Sequence, residues 1–325
     1  MTLPGYFKNH KASAFAPATM GNMAVGFDIL GGTLSGVGDT VHLELTPCRS
    51  PGQSSIVVES ITGTDSDKLP LVALENTAGK ALIALLAGEG LAVDVAVRIE
   101  KGIPLGSGLG GSAASAVAAV VAMNALLKEP LDQNKLIIYA LEGEAVASGA
   151  KHADNVTPCL LGGVVGVFSV EPLSVRSIPM PPGISVAVVK PQVGIKTEEA
   201  RALLGGEVEK SLVIKQQARL AGFIVGCMSN DKVLIQESFK DDWIEPQRKK
   251  LIPHFDEVKK AADGDGVFGA SISGAGPAIF ALCEDLNTAM KALDRMKAVY
   301  DNVSMASLAW ACEIPQTGAS VVTEV

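Results

Sequence analysis

The pattern of hydrophobic and polar positions along the chain predicts a mixture of strands and helices. Alternating or β-branched runs, which are typical of strands, lie near 39–46, 54–60, 91–99, 163–170, 184–190, 266–273, 277–283 and 303–310. Apolar residues at helical spacing lie in 75–87, 112–127, 133–149, 197–204, 209–229 and 286–299, with shorter helices as far as about residue 262. Because strands and helices do not alternate regularly, the pattern predicts an α+β fold and not a doubly wound sheet.

The length of the chain indicates a division into two lobes. At 325 residues, the chain is about twice the size of an ordinary domain. The proline-rich turn PMPPG at 179–183 is a candidate boundary region. We therefore expect one domain over 1–175 and a second over 176–325.

Composition and charge narrow the class of protein. Hydrophobic residues make up 48% of the chain and charged residues 19%, which excludes a disordered protein. The net charge is -8 and no long basic run occurs, so no nucleic-acid partner is expected. The five cysteines are scattered without a C-x-x-C pair, which favours reduced thiols over disulfides or a zinc site.

The sequence predicts a cytoplasmic protein without a membrane segment. Its N-terminal residues contain no apolar signal-peptide core. The uncharged stretch 103–127 begins with Pro, Gly and Ser and continues mostly with Ala, whereas membrane helices are richer in Leu, Ile and Phe.

Glycine residues cluster in three segments. Of the 34 glycines, sixteen lie in 21–38, 102–111 and 264–276. The middle segment, KGIPLGSGLGGSAAS (101–115), follows a predicted strand and opens a predicted helix. Backbone N–H groups of such a loop and of the following helix N-terminus can bind phosphate. Ser112 could cap that helix or bind Mg²⁺, and Lys101 lies at the entrance of the loop.

Other interpretations of this loop remain open. The P-loop pattern G-x-x-x-x-G-K-[ST] is absent because no lysine follows the glycines. The dinucleotide pattern G-x-G-x-x-G does occur, as Gly106, Gly108 and Gly111, and would indicate an oxidoreductase. Its ribose-binding carboxylate should end the next strand, whereas Asp132 follows a helix and Pro130 and is placed like a helix N-cap. A tight turn that binds nothing is a further alternative.

Three motifs in this order resemble those of the GHMP kinases. They are APATMGNMAVGFDILG (16–31), PLGSGLGGSAA (104–114) and SISGAGPAIFAL (271–282). Within this superfamily, N-x-x-V-G-F-D (22–28), HADNVTP (152–158), TEEAR (197–201) and EPQRKKLIP (245–253) resemble segments of homoserine kinases, and the G-E-H of galactokinases and mevalonate kinases is absent. The resemblance implies a two-lobed fold. Its N-terminal lobe would be like domain 2 of ribosomal protein S5 and its C-terminal lobe would be ferredoxin-like.

The resemblance also implies an activity: phosphorylation of the hydroxyl of L-homoserine by ATP, with Mg²⁺, in threonine biosynthesis. It implies substrate contacts from Asn22, Asp28, His152, Asp154, Asn155, Thr197, Arg201 and Arg248. It implies ATP contacts from Asn76, Lys101, Pro104, Leu105, Gly106, Ser107, Gly108, Leu109, Gly110, Gly111, Ser112 and Ala113. Ser112 and Glu144 match metal-binding positions, and Asp28 and Asn155 are the catalytic candidates. The family also implies a homodimer.

Each of these residues also has an ordinary structural interpretation. The arginines could form surface ion pairs, Asp28 could make local turn hydrogen bonds, and His152 could be a satisfied structural histidine. Asn76 and Thr197 could cap helices. The alternative functions are another small-molecule GHMP kinase, an oxidoreductase and a non-catalytic binding protein on the same scaffold.

Overall fold

The computed structural model describes residues 3–50 and 52–322 and contains two sheets with helices packed on them. The strands are β1 (Lys11–Gly21), β2 (Leu30–Thr46), β3 (Ile56–Gly63), β4 (Asp94–Lys101), β5 (Val164–Val170), β6 (Leu173–Ile178), β7 (Ser185–Pro191), β8 (Val267–Ile272), β9 (Ile279–Cys283), β10 (Ser307–Glu313) and β11 (Ser320–Val322). The helices are α1 (Thr77–Gly88), α2 (Gly111–Leu126), α3 (Gln133–Ser148), α4 (Ala153–Leu161), α5 (Thr197–Ala202), α6 (Lys210–Ser229), α7 (Lys232–Ser238), α8 (Glu245–Arg248), α9 (Phe255–Ala262) and α10 (Leu286–Asn302). Two short 3₁₀ helices cover Ser66–Lys68 and Lys249–Leu251.

The first sheet forms the N-terminal lobe and has the strand order β11-β1-β2-β4-β3. The first part of β2 also pairs with β5, which continues to β6. Only the pair of β3 and β4 is parallel among these strands. Helix α2 packs on β1 and β2 and against both α1 and α3, which also contact each other, and its buried residues are mostly Ala and Val. Because these side chains are small, the helix lies close to the sheet and brings its N-terminus to the loop after β4.

The second sheet forms a ferredoxin-like C-terminal lobe. Its strand order is β10-β7-β9-β8, all antiparallel, in a chain order of strand, helices, two strands, helix and strand. Side chains on β7 alternate between two cores: Val186 and Val188 belong to the core that includes Phe223 of α6, while Ala187 and Val189 belong to the core of α9 and α10. The first of these cores continues into the N-terminal lobe, so the two lobes pack as one body.

The predicted α+β, two-lobed fold is confirmed, and each predicted helix and strand has a counterpart. The pattern missed β1, β6, β11 and α4. Strand β1 is rich in Ala and contains Pro17, both unfavourable for strands, and α4 is short with Pro158 inside it. The division at 175/176 stays a prediction: β6 spans that point, and β11 returns from the chain's end to pair with β1.

The segment between β1 and β2 consists of turns and bends from Asn22 to Ile29. Asn22, Met23, Ala24 and Asp28 all have positive φ, between 39° and 69°, which a right-handed helix does not allow. The backbone therefore bends sharply here and turns the Asn22 and Asp28 side chains toward the other lobe.

All five cysteines are free thiols, as expected. Within residues 3–50 and 52–322, no helix has the length and hydropathy needed to cross a membrane.

A buried ion pair supports the loop between β4 and α2. The Lys101 ammonium, at the end of β4, contacts the Asp39 carboxylate of β2, and both side chains are almost fully buried. The same ammonium donates to the Gly111 carbonyl and to Ser115 Oγ, each at 2.9 Å. Asp39 accepts from Ser115 Oγ at 2.7 Å and from the N–H groups of residues 102–103 at 3.1 and 3.2 Å. One carboxylate thus holds β4, the start of the loop and the first turns of α2.

Removal of Lys101 should destabilise the fold severely. Lys101→Met leaves the Asp39 charge buried without its partner, and we expect a loss of about 3–5 kcal/mol in the free energy of unfolding, measured with urea. The control is Lys11→Met, because Lys11 forms an exposed pair with Glu44 on β1 and β2. That variant should lose at most about 1 kcal/mol. Similar losses in the two variants would contradict the structural role of Lys101.

Candidate active site

The loop from Gly102 to Gly111 turns from β4 into α2, and three of its five glycines have left-handed conformations. Gly106, Gly108 and Gly110 have φ values of 57°, 77° and 67°. At Gly108 a side chain is also excluded by space, since a Cβ atom would lie 2.4 Å from the carbonyl oxygen of Ser273. Glycine is therefore required where this loop approaches the C-terminal lobe.

The N-terminus of α2 opens directly from this loop. The first i→i−4 bond of the helix runs from the Ala114 N–H to the Gly110 carbonyl at 2.9 Å. The N–H groups of Gly111, Ser112 and Ala113 precede that bond at the positive end of the helix dipole. Gly110 is the N-cap, so Ser112 does not cap the helix. This arrangement suits an anion such as a phosphate.

The third glycine motif fastens the loop to the C-terminal lobe. Ser273 Oγ donates to the Gly108 carbonyl at 2.7 Å, and the Ala278 N–H donates to the Ser107 carbonyl at 3.1 Å. Gly274 N–H donates to the Gly21 carbonyl at 3.1 Å. Residues 274–276 also line the same cavity as the loop, so this motif both supports the loop and faces the site.

A cavity of about 100 Å³ lies between the loop, the turn after β1, and α4. Asn22 joins these parts. Its Oδ1 accepts from the Asp28 N–H at 3.1 Å, its Nδ2 donates to the Gly274 carbonyl at 2.9 Å, and its own N–H donates to Asp154 Oδ2 at 3.1 Å. Asn155, next on α4, accepts from Thr19 Oγ1 at 2.9 Å. The first turn of α4 therefore presents two polar side chains into the cavity.

Two arginines close the other side of the cavity. Both terminal nitrogens of Arg201 contact the Asp28 carboxylate at 3.0–3.1 Å, and Nη2 lies 3.3 Å from His152 Nε2. Arg248 is buried and donates through Nη1 to the Gly274 carbonyl at 3.0 Å. The Phe27 ring lies 5.5 Å from the Arg201 guanidinium carbon and 5.0 Å from that of Arg248, so it orients both cations.

The crowding of charges shifts several pKa values. Burial, followed by the charge of Asp28, raises the pKa of Asp154 to about 6. Burial by itself lowers the pKa of His152. The hydrogen bond and charge of Glu144, whose Oε1 lies 3.3 Å from His152 Nδ1, outweigh that effect, so the net shift of the pKa is upward. Burial and the charge of Arg201 lower the pKa of Arg248.

A second cavity, of about 1490 Å³, adjoins the first. Both are lined by Gly106, Ile195 and Thr197. The larger cavity takes residues from both lobes, including Pro104 and Leu105 on the outer side of the loop. Thr197 is not a capping residue, since the N-cap of α5 is Lys196.

The structure brings together most of the residues that the sequence singled out. All eight predicted substrate residues line the smaller cavity, together with Glu144 and residues 106–112. Sequence reasoning overlooked Thr19 and Phe27 as single residues, although both lie inside the quoted segment 16–31. It also overlooked Asp39, for which no local signal exists, because its partner lies 62 positions away.

Two predicted nucleotide contacts, Asn76 and Lys101, line neither cavity. Asn76 is the N-cap of α1: its Oδ1 accepts from the Ala78 and Gly79 N–H groups at 3.0 and 3.2 Å. The Lys101 ammonium binds three protein oxygens, as described above. Ala113 is also outside both linings, buried within α2, and offers only its N–H group. Lys101 therefore supports the loop from behind, whereas Asn76 stabilises the start of α1.

The oxidoreductase interpretation lacks its ribose-binding carboxylate. Asp132 accepts from the Lys135 N–H at 2.9 Å and is the N-cap of α3, as its sequence context indicated. It does not end a strand beside the loop, which a dinucleotide site requires.

Comparison with known proteins identifies the class. The family described as GHMP kinases N terminal domain matches residues 76–163, and that described as GHMP kinases C terminal matches 223–302. Mevalonate kinase from L. major shares the fold with a TM-score of 0.70 at 15% identity, covering 98% of this chain and 99% of that one. The fold and its glycine-rich loop are thus those of the GHMP kinases.

Nearer relatives narrow this class. Homoserine kinase from Xanthomonas campestris pv. campestris is 42% identical over 312 residues, covering 96% of this chain and 94% of that protein. Homoserine kinase from Chlorobium phaeovibrioides is 36% identical over 316 residues, covering 95% and 98%. The crystal structure of homoserine kinase from Cytophaga hutchinsonii has a TM-score of 0.91 at 38% identity, covering 98% and 100%. The chain belongs to the homoserine kinase family and is a kinase.

The raised pKa of Asp154 predicts a pH dependence of stability. An acid whose pKa rises on folding binds its proton more tightly in the folded state. Protonated Asp154 therefore contributes fully to the free energy of unfolding below the unfolded pKa of 3.8, and this contribution is lost as pH rises to about 6. Asp154→Asn has no carboxyl group to ionise, so its stability does not fall in this way. The variant should therefore gain stability relative to the wild type between pH 4 and pH 6, on the order of 1–3 kcal/mol.

Unfolding with urea across this pH range measures the difference. Asp285→Asn is the control that should show no trend, because hydrogen bonds from Thr288 lower the pKa of Asp285 at the N-cap of α10. The stabilisation by its wild-type carboxylate is lost only below the unfolded value of 3.8, so the difference between this variant and the wild type should change little from pH 4 to pH 6. A constant difference between Asp154→Asn and wild type from pH 4 to pH 6 would contradict the shift.

Proposed function

We propose that this protein transfers the γ-phosphoryl group of ATP to the hydroxyl of L-homoserine, giving O-phospho-L-homoserine for threonine biosynthesis. The observation that carries this proposal is the meeting of two cavities at one glycine-rich loop. The smaller contains carboxylates and arginines suited to an amino acid, and the larger has room for a nucleoside.

Homoserine is a zwitterion, and the smaller cavity offers a partner for each charge. Arg201 and Arg248 present guanidinium groups to the carboxylate, and Asp28 and Asp154 can accept from the ammonium. In the structure Asp28 and Arg201 satisfy each other. A zwitterionic substrate can replace this contact with two new ones, ammonium to Asp28 and carboxylate to Arg201, whereas a ligand with one charge leaves one member unpaired.

The reaction depends on positioning more than on proton abstraction. Phosphoryl transfer has a loose transition state, so alignment and neutralisation of charge supply most of the catalysis. Asn155 is held by Thr19 and can orient the homoserine hydroxyl. Asp28 is the candidate acceptor for the hydroxyl proton. The loop N–H groups and the N-terminus of α2 hold the phosphates.

The oxygen donors of Ser112, at the start of α2, and Glu144, on α3, fit Mg²⁺. This cation takes few protein oxygens and completes its shell with phosphate and water. Ser112 and Glu144 line the same cavity and supply a hydroxyl and a carboxylate, although residues 3–50 and 52–322 contain no group of three or more acidic, His or Cys ligands for a metal. When bound, the ion would neutralise phosphate charge. Glu144 also holds His152 in place beside Arg201.

Phosphorylation of an acceptor panel tests this function. ADP release should be rapid with L-homoserine and slow with L-serine, L-threonine, mevalonate and galactose, because only homoserine combines the zwitterion with a hydroxyl at the right reach. EDTA should abolish release and added Mg²⁺ should restore it. Activity with mevalonate or galactose and none with homoserine would contradict this function and would identify the protein as a GHMP kinase of another specificity.

We further propose a cytoplasmic homodimer. The free thiols support the location. The exposed face of α6 carries Ile214, Val225 and Met228, each more than half exposed, at the spacing of a helix-packing stripe. Light scattering should give twice the chain mass of 33.5 kDa. A mass of one chain would contradict the dimer.

A further inference from the structure

Lys190 is a buried lysine without a protein partner. It lies on β7 and only 6% of the residue is exposed. Within the part of the chain that the structure describes, its ammonium has no hydrogen bond and no ion pair. Buried ammonium groups are nearly always paired, because their desolvation is costly. An unpaired one inside a protein therefore indicates a missing acceptor.

The Lys190 side chain lines the larger cavity and not the smaller one. Asp65 is the acidic residue whose charge acts on Lys190. Its carboxylate already has two partners: Lys68 Nζ lies 2.6 Å from Oδ1, and the Leu105 N–H donates to Oδ2 at 3.1 Å. Burial lowers the pKa of Lys190, as expected for a cation without a bound anion. The cavity itself is the remaining place for its acceptor.

The arrangement of the two cavities defines what enters the larger one. The phosphate-binding groups, namely residues 107–112 and the start of α2, face the smaller cavity. The outer side of the loop, from Pro104 to Gly106, faces the larger. If phosphates lie on the inner side, the nucleoside of ATP extends across Gly106 into the space that Lys190 lines. This orientation rests on the proposed function.

We propose that Lys190 is a nucleotide-binding residue, contributed by the C-terminal lobe, whose ammonium donates a hydrogen bond to the nucleoside part of ATP. Purine ring nitrogens and ribose oxygens are acceptors, and an ammonium is only a donor, so the chemistry matches. One such charged hydrogen bond changes affinity by about tenfold. In the free protein the ammonium faces the cavity without a protein acceptor, and binding of ATP supplies one.

Substitution of Lys190 by methionine tests this role without turnover. Lys190→Met keeps the length of the side chain and removes the ammonium. We expect the Kd for ADP, measured by calorimetry without homoserine, to rise about tenfold, while the Kd for inorganic tripolyphosphate stays unchanged. The Tm of the free variant should rise above that of the wild type, because an unpaired buried charge is removed.

Two further variants complete the test. Lys232→Met removes an exposed lysine of the same lobe that pairs with Glu284, and it should leave both affinities unchanged. If Lys190→Met does not fold, Lys190→Gln replaces it: removal of the charge should still raise the Kd for ADP severalfold relative to the wild type and leave the Kd for tripolyphosphate unchanged. An unchanged Kd for ADP in that variant would equally overturn the role of Lys190.

The outcomes separate the two proposals. Unchanged ADP affinity in Lys190→Met would overturn the role of Lys190, as would a loss of tripolyphosphate affinity equal to the loss for ADP, which would place the ammonium on the phosphates. A wild-type protein that binds ADP but phosphorylates no homoserine would instead contradict the proposed function, and the ADP comparison would still decide the role of Lys190.

Discussion

The buried ion pair of Lys101 and Asp39 is the interaction on which the glycine-rich loop depends. A loop that binds anions through backbone N–H groups needs those groups fixed in advance, because flexible glycines lose much entropy when they become ordered. Here the Asp39 carboxylate takes up the N–H groups at the start of the loop, and the Lys101 ammonium takes up the Gly111 carbonyl at its end. Both ends are thus held by one ion pair between β2 and β4, and the glycines between them remain available to a ligand.

The C-terminal lobe completes the same loop from the other side. The Ile195 N–H donates to the Gly106 carbonyl at 3.1 Å, and Ser273 holds Gly108. The loop carbonyls are therefore bound by the protein, which turns the loop's N–H groups toward the cavity. Because Arg201 and Arg248 also come from this lobe, the position of the smaller cavity relative to the loop is set by the packing of the two lobes.

The charge of the site is local and nearly balanced, although the chain is acidic overall. Asp28 and Arg201 neutralise each other, Glu144 faces His152, and the Asp154 carboxyl has a raised pKa. A balanced pocket suits a zwitterion, and an anion is received by helix and loop dipoles. This division explains how a protein with a net charge of -8 can hold a polyphosphate without a basic surface.

The sequence by itself determined the two-lobed α+β class and the three glycine motifs, through local features such as the strand–glycine–helix order at 101–115 and the capping position of Asp132. Its resemblance to homoserine kinases, in segments such as HADNVTP, pointed to the residues that line the smaller cavity. Only the tertiary structure decided the direction of each side chain. In the sequence, Lys101 and Lys190 are both basic residues near strand ends. In the structure, the Lys101 ammonium contacts the carboxylate of Asp39, 62 positions earlier in the chain, whereas Lys190 lines a cavity between the lobes. Partners distant in sequence leave no periodic signal, so their pairing is fixed only when the sheets and lobes pack.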